Sequence, residues 1–178
     1  MVRAKSKAAS LKNRIYCFFF CFSLFALHFT LEVSASEIVI VYTGQSNAML
    51  YTCSCPIEVD GGVARRATAI KDLRKNNPNV LVLDSGNFFA GGFMDEYTQN
   101  TRLNMLRTDY NLKAMDMMGY DAASIGDDEF NFGAAYLSDA IKKSKFAFLS
   151  SNVSLSAVSG VEIPDYLLRD IAGVKVAV

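Results

Sequence analysis

Tyr120-Asp121-Ala122-Ala123-Ser124-Ile125-Gly126-Asp127-Asp128-Glu129-Phe130-Asn131 is the stretch whose reading decides the fold. It reads as a short buried strand running into a loop opened by Gly126, where a residue without Cβ lets the chain turn sharply. Three consecutive carboxylates follow at the carboxyl end of that strand, the place where open α/β sheets bind ligands. Adjacent anions repel, so the folded loop needs a cation, backbone donors or water to offset them. A solvated loop whose acids cap the next helix is the plainer alternative.

Working outward, the same strand-then-loop grammar recurs. Residues 37–43 (EIVIVYT) are a β-branched apolar run ending at Gly44, and 80–84 (VLVLD) are a second, followed by the loop 85–92. Residues 146–150 form another strand, and 165–169 and 174–178 a last pair across Ala172-Gly173. Between them, helical spacing runs over 63–75 (Val63, Ala67, Ile70, Leu73), over 101–118 and over 134–143. In the second helix Leu103, Leu106, Tyr110, Ala114 and Met117 define the expected buried stripe, and in the third Leu137 and Ile141 do. Alternating strands and helices predict βαβ units and a mostly parallel sheet covered on both faces.

The amino terminus stands apart. Arg3, Lys5, Lys7, Lys12 and Arg14 precede a Phe-rich apolar stretch from Ile15 to Leu31, and Val33-Ser34-Ala35 supplies small residues for cleavage. Residues 1–35 therefore read as a secretory signal cut after Ala35, too short in its apolar part for the roughly 20 residues of a stable membrane span. The expected location is the periplasm or the extracellular space. What remains, 36–178, is long enough for one domain with a core. It carries 13 basic against 17 acidic residues, no footprint for a nucleic-acid partner. His28, the only histidine, falls inside the signal, as do Cys17 and Cys21. No Ser-His-Asp triad or histidine-ligated zinc can be built from 36–178. The run Lys175-Val176-Ala177-Val178 stops inside an apolar stretch, which reads as the amino-terminal portion of a longer domain.

Five loops acquire meaning together: Val41-Tyr42-Thr43-Gly44-Gln45-Ser46-Asn47-Ala48, Gly61-Gly62-Val63-Ala64-Arg65-Arg66, Leu83-Asp84-Ser85-Gly86-Asn87, Met118 through Phe130, and Leu149-Ser150-Ser151-Asn152. In this order they resemble the amino-terminal domain of periplasmic 5′-nucleotidases, within the calcineurin-like metallophosphoesterases. The resemblance implies a four-layer α/β/β/α sandwich, of which this chain covers the amino-terminal portion, and hydrolysis of nucleotides or other phosphate esters at a two-metal centre. Gln45 and Asn47 stand where the family offers Asp and His to a metal. Asn87 stands at the metal-bridging Asp, Asp127 at an Asn ligand, and Asp128 at the His that assists the leaving group. Gly86, Gly126, Glu129 and Phe130 match. Gln45, Asn47, Asn87 and Asp127 are thus the candidate metal ligands and Asp128 the candidate catalytic acid.

The chemistry of these replacements differs from that of the family. An anionic bridge holds two cations about 3.5–4 Å apart and acidifies a shared water; neutral amide oxygens bind more weakly. An all-oxygen set favours one hard cation, Mg²⁺, Mn²⁺ or Ca²⁺, over a standard pair. Cys53 and Cys55, followed by Pro56 on the same loop as Gln45 and Asn47, add a second reading as a redox pair or soft-metal clip. A disulfide between residues so close would be strained. The resemblance extends here to nucleotidase-like proteins that carry Cys-x-Cys and lack the usual ligands. A non-catalytic binding domain is the remaining alternative. Gly61-Gly62 with Arg65-Arg66 as an anion site, Phe88 and Phe89 as base stackers, and Asn152-Val153-Ser154 as a glycosylation sequon are lesser candidates, each with a bland counterpart in turn geometry, core edge or surface loop.

Overall fold

The computed structural model describes residues 37–53, 60–92, 101–155 and 160–178, with a few helical residues between Tyr16 and Ser23. The cleavage point after Ala35 and Cys55 lie outside the described residues. Met1–Ser36 and Glu37–Val178 form separate compact units. In the first, the rings of Phe18 and Phe22 stack at 6.5 Å, one helical turn apart. Among the described residues no helix is long and apolar enough to cross a membrane.

In the second unit, β1 (Val39–Thr43), β2 (Val80–Asp84), β3 (Ala122–Ser124) and β4 (Ala147–Leu149) form one sheet in sequence order, all parallel. Thr43 aligns with Asp84, and Asp84 with Ala123, so the strands end level and their loops leave from one edge. The crossovers run through α1 (Val63–Asn76), α2 (Thr101–Met118) and α3 (Gly133–Lys143). Crossovers of one hand in this order carry the helices to one face. There Val82, Ala123 and Phe148 pack with Ile70, Leu112, Met115 and Leu137. The alternation of β1 turns Ile40 and Tyr42 to the other face, where they are 55% and 78% exposed. On that other face Leu81, Ala122 and Leu149 of the neighbouring strands are buried, so the expectation of two covered faces fails along the β1 edge.

Phe88 and Phe89 are fully buried, in ring contact with Phe148 at 5.6 Å and Tyr136 at 5.7 Å respectively. They are core residues, which removes the base-stacking idea. Arg66 likewise points inward: its guanidinium donates to Asn111 Oδ1 (2.6 Å) and lies 5.8 Å from the Tyr120 ring. The antiparallel hairpin β5 (Leu168–Ile171) and β6 (Val174–Ala177) turns at Ala172-Gly173 as expected, both with positive φ. Its first strand begins three residues later than the apolar pattern suggested.

α2 corrects the sequence most sharply. Leu103, Leu106, Tyr110 and Met117 are exposed, and the buried face is Asn104, Thr108, Asn111, Leu112, Met115 and Met118. The reason lies beneath the helix, where the β2 loop brings backbone polar groups that need partners. Thr108 Oγ1 accepts the Ala90 N–H at 3.0 Å, and Asn111 Nδ2 donates to Phe88 O at 3.0 Å.

Candidate functional site

The loops after β1 and β2 continue side by side past the strand ends. Gln45 N donates to Gly86 O (3.0 Å), Asn47 N to Asn87 O (3.1 Å) and Ala48 N to Phe88 O (3.1 Å). This path requires left-handed backbone at Gln45 (φ 49°), Asn47 (44°), Ala48 (47°) and Asn87 (60°). Asparagine is among the non-glycine residues that tolerate it best.

Two buried carboxylates fix the loops from inside. Glu129, with no exposed surface, accepts four backbone N–H bonds: Asn87 (3.0 Å) and Gly126 (2.7 Å) on Oε2, Phe88 (2.9 Å) and Phe89 (3.2 Å) on Oε1. Burial pushes its carboxyl up from the ordinary value, while those donors pull it back only in part. Asp84 accepts the Thr43 hydroxyl (2.5 Å) and the Gly86 N–H (2.8 Å), and Thr43 Oγ1 lies 2.9 Å from Tyr120 OH. Burial raises the Asp84 carboxyl too, against the Thr43 and Gly86 bonds and the charge of Arg66.

Asn47, Asn87 and Asp128 meet above this frame. Asn87 Oδ1 accepts the Asp128 N–H at 3.4 Å. The Asn47 amide lies against two acceptors, Asn87 O (3.3 Å) and Asp128 Oδ2 (3.2 Å), and its nitrogen is assigned to that side, where it donates to both. Asn131 Nδ2 donates to Asp128 Oδ1 at 3.4 Å and to Ala90 O at 3.3 Å. Glycines make the approach possible. A Cβ on Gly126 would overlap Asn87 Oδ1, and one on Gly92 would overlap the Asp128 carboxylate.

Of the five candidates, the structure therefore brings Asn47, Asn87 and Asp128 into mutual contact. Gln45 and Asp127 lie on the same loops with exposed side chains. Cys53 is half-buried farther along the β1 loop, where its Sγ accepts the Asp60 N–H at 3.2 Å. Among the described residues no three His, Cys, Asp or Glu side chains converge as a metal-holding group.

Residues that sequence reasoning missed complete the site. Arg107 donates to Asn47 O at 2.9 Å and to Asn104 Oδ1 at 3.2 Å, and Asn131 joins Asp128 as above. Asn104, Arg107, Thr108 and Asn111 form a polar stripe on α2 that seats both loops. The signal was present as Asn104, Thr108 and Asn111, polar residues three and four apart on one helical face.

No protein-family model matches the sequence. The chain is 35% identical over 124 residues to the snake venom 5′-nucleotidase of Gloydius brevicauda, an alignment covering 66% of this chain and 20% of that protein. The 5′-nucleotidase precursor of Thermus thermophilus superposes with a TM-score of 0.68 at 25% identity, over 79% of this chain and 27% of that one. The calcineurin-like phosphoesterase YfkN of Bacillus subtilis superposes with a TM-score of 0.54 at 27% identity, over 79% and 46%. The chain thus spans about a fifth to a half of the length of these relatives. Its homologues are 5′-nucleotidases and calcineurin-like phosphoesterases, and its fold is that of the amino-terminal domain of the 5′-nucleotidases.

Proposed function

We propose that this chain is an exported 5′-nucleotidase-like phosphoesterase-fold protein, descended from nucleotide hydrolases, whose metal positions no longer suit a pair of cations. The observation that carries the reading is Asn87. By the resemblance it stands at the place of the bridging carboxylate; it is neutral, and its Oδ1 accepts the Asp128 N–H. Asn47 presents an amide nitrogen, a donor, to the interior of the site. Two divalent cations at about 3.5–4 Å repel strongly and need an anion between them. One carboxylate, Asp128, flanked by amides does not meet that need, so no hydrolytic step through a paired centre is derived.

One hard cation is a different matter. Gln45 and Asp127 carry exposed side-chain oxygens on the same loops, and oxygen-only sets suit Mg²⁺, Mn²⁺ or Ca²⁺. Such an ion would offset the charge of Asp127 and Asp128 and allow a phosphate ester to approach. Without one, two carboxylates face the anion. Asp128, in the acid position, offers a carboxyl group where the resemblance implies an imidazole.

The test is phosphate release from nucleoside 5′-monophosphates by the purified protein in Mn²⁺. The expected turnover is at least about 10³-fold below the ordinary ~10 s⁻¹ of enzymes. Turnover in the usual range of about 1–10³ s⁻¹ would overturn the reading. Export is tested separately by sequencing the amino terminus of the secreted protein, expected to begin at Ser36.

A further inference from the structure

Seen as hydrogen bonds alone, the site has an internal consistency that a damaged metal centre would lack. The Asp128 carboxylate receives an amide N–H on each oxygen, from Asn47 on Oδ2 and from Asn131 on Oδ1. Each of these amides also ties to backbone of the β2 loop, Asn47 to Asn87 O and Asn131 to Ala90 O. Arg107 fixes the Asn47 backbone from the other side. An ionised Asp or Glu at position 47 or 131 would not make these bonds, being acceptor-only; a carboxamide does, because it carries a donor group beside its acceptor.

We propose that Asn47 and Asn131 clasp the Asp128 carboxylate and so join the β1, β2 and β3 loops without any cation, doing with amide donors what positive ions do in a paired metal site. This rests on the reading that the paired centre is lost, and it adds what replaced it. With its nitrogen assigned toward Asp128, the Asn47 amide is also the group a cation must displace or rotate.

Thermal melting of the whole protein tests the clasp, with EDTA or with millimolar Ca²⁺ or Mg²⁺. Wild type is expected to melt in EDTA no lower than in buffer without added metal, and a rise in Ca²⁺ or Mg²⁺ reports only an added cation. Asn47→Asp keeps the size and the tolerance of left-handed backbone but sets a second carboxylate against Asp128. It should melt about 4 °C lower or more in EDTA and recover on adding Ca²⁺. Wild type losing several degrees in EDTA, or Asn47→Asp melting with wild type there, would overturn the proposal. Should Asn47→Asp fail to fold, hydrogen exchange of the wild-type Asn47 side-chain NH₂ in EDTA decides: protection supports the clasp, and exchange at the rate of an exposed amide overturns it. Nucleotide turnover at ordinary rates would defeat the functional reading and leave these melting results to stand or fall alone.

Discussion

Glu129 gathers four backbone N–H groups onto one buried carboxylate. Truncation to Ala would strand four donors away from water, each at about 1–3 kcal/mol, so Glu129→Ala should cost more than about 3 kcal/mol in urea unfolding. A loss below about 1 kcal/mol would mean the loops find other acceptors. Asp84 carries a pH dependence. Burial raises its folded-state pKa, so the native state holds the proton more tightly than the unfolded one. Its contribution to stability is full below about pH 3.9 and is lost as pH rises through the raised value. The urea midpoint of Asp84→Asn should lack that fall, compared with wild type from about pH 4 to 7. At this scale the sequence was half legible. Three adjacent acids demand offsets, and for Glu129 the offset is backbone donors. Which offset served which acid depends on loop geometry that residue type does not encode.

α2 makes the corresponding point for an element. Its apolar periodicity suggested that Leu103, Leu106 and Tyr110 face the core, yet they are exposed while Asn104, Thr108 and Asn111 are buried. A stripe of hydrophobicity states a preference for burial; the unpaired backbone of the β2 loop stated a stronger demand for partners. Thr108→Val and Asn111→Leu should each destabilise by about 1–3 kcal/mol, the first by leaving the Ala90 N–H unsatisfied and the second by removing the acceptor of the Arg66 guanidinium. Leu106→Gln, on the exposed stripe, should stay within about 0.5 kcal/mol. The reverse order in chemical denaturation would restore the hydrophobic reading. Strands β1 and β2 were read nearly to the residue because continuous β-branched runs have few alternative structures.

For the whole molecule, the level strand ends explain why loops so distant in sequence share one site, and why their order alone was enough to suggest the fold. The relatives establish the ancestry; the side chains at the loop tips decide the chemistry. Asn47, Asn87 and Asp128 were legible as positions from that order, but their partnership was not, because an amide can donate or accept and only the assembled loops fix which. The central claim is that these loops converge through hydrogen bonds of their own. Backbone hydrogen exchange at Asn87, Phe88, Phe89 and Gly126 in EDTA measures it most directly. The expected result is protection comparable to the core strand β2, unchanged on adding Ca²⁺ or Mg²⁺. Exchange as fast as open loops, slowing only once a cation is supplied, would contradict it.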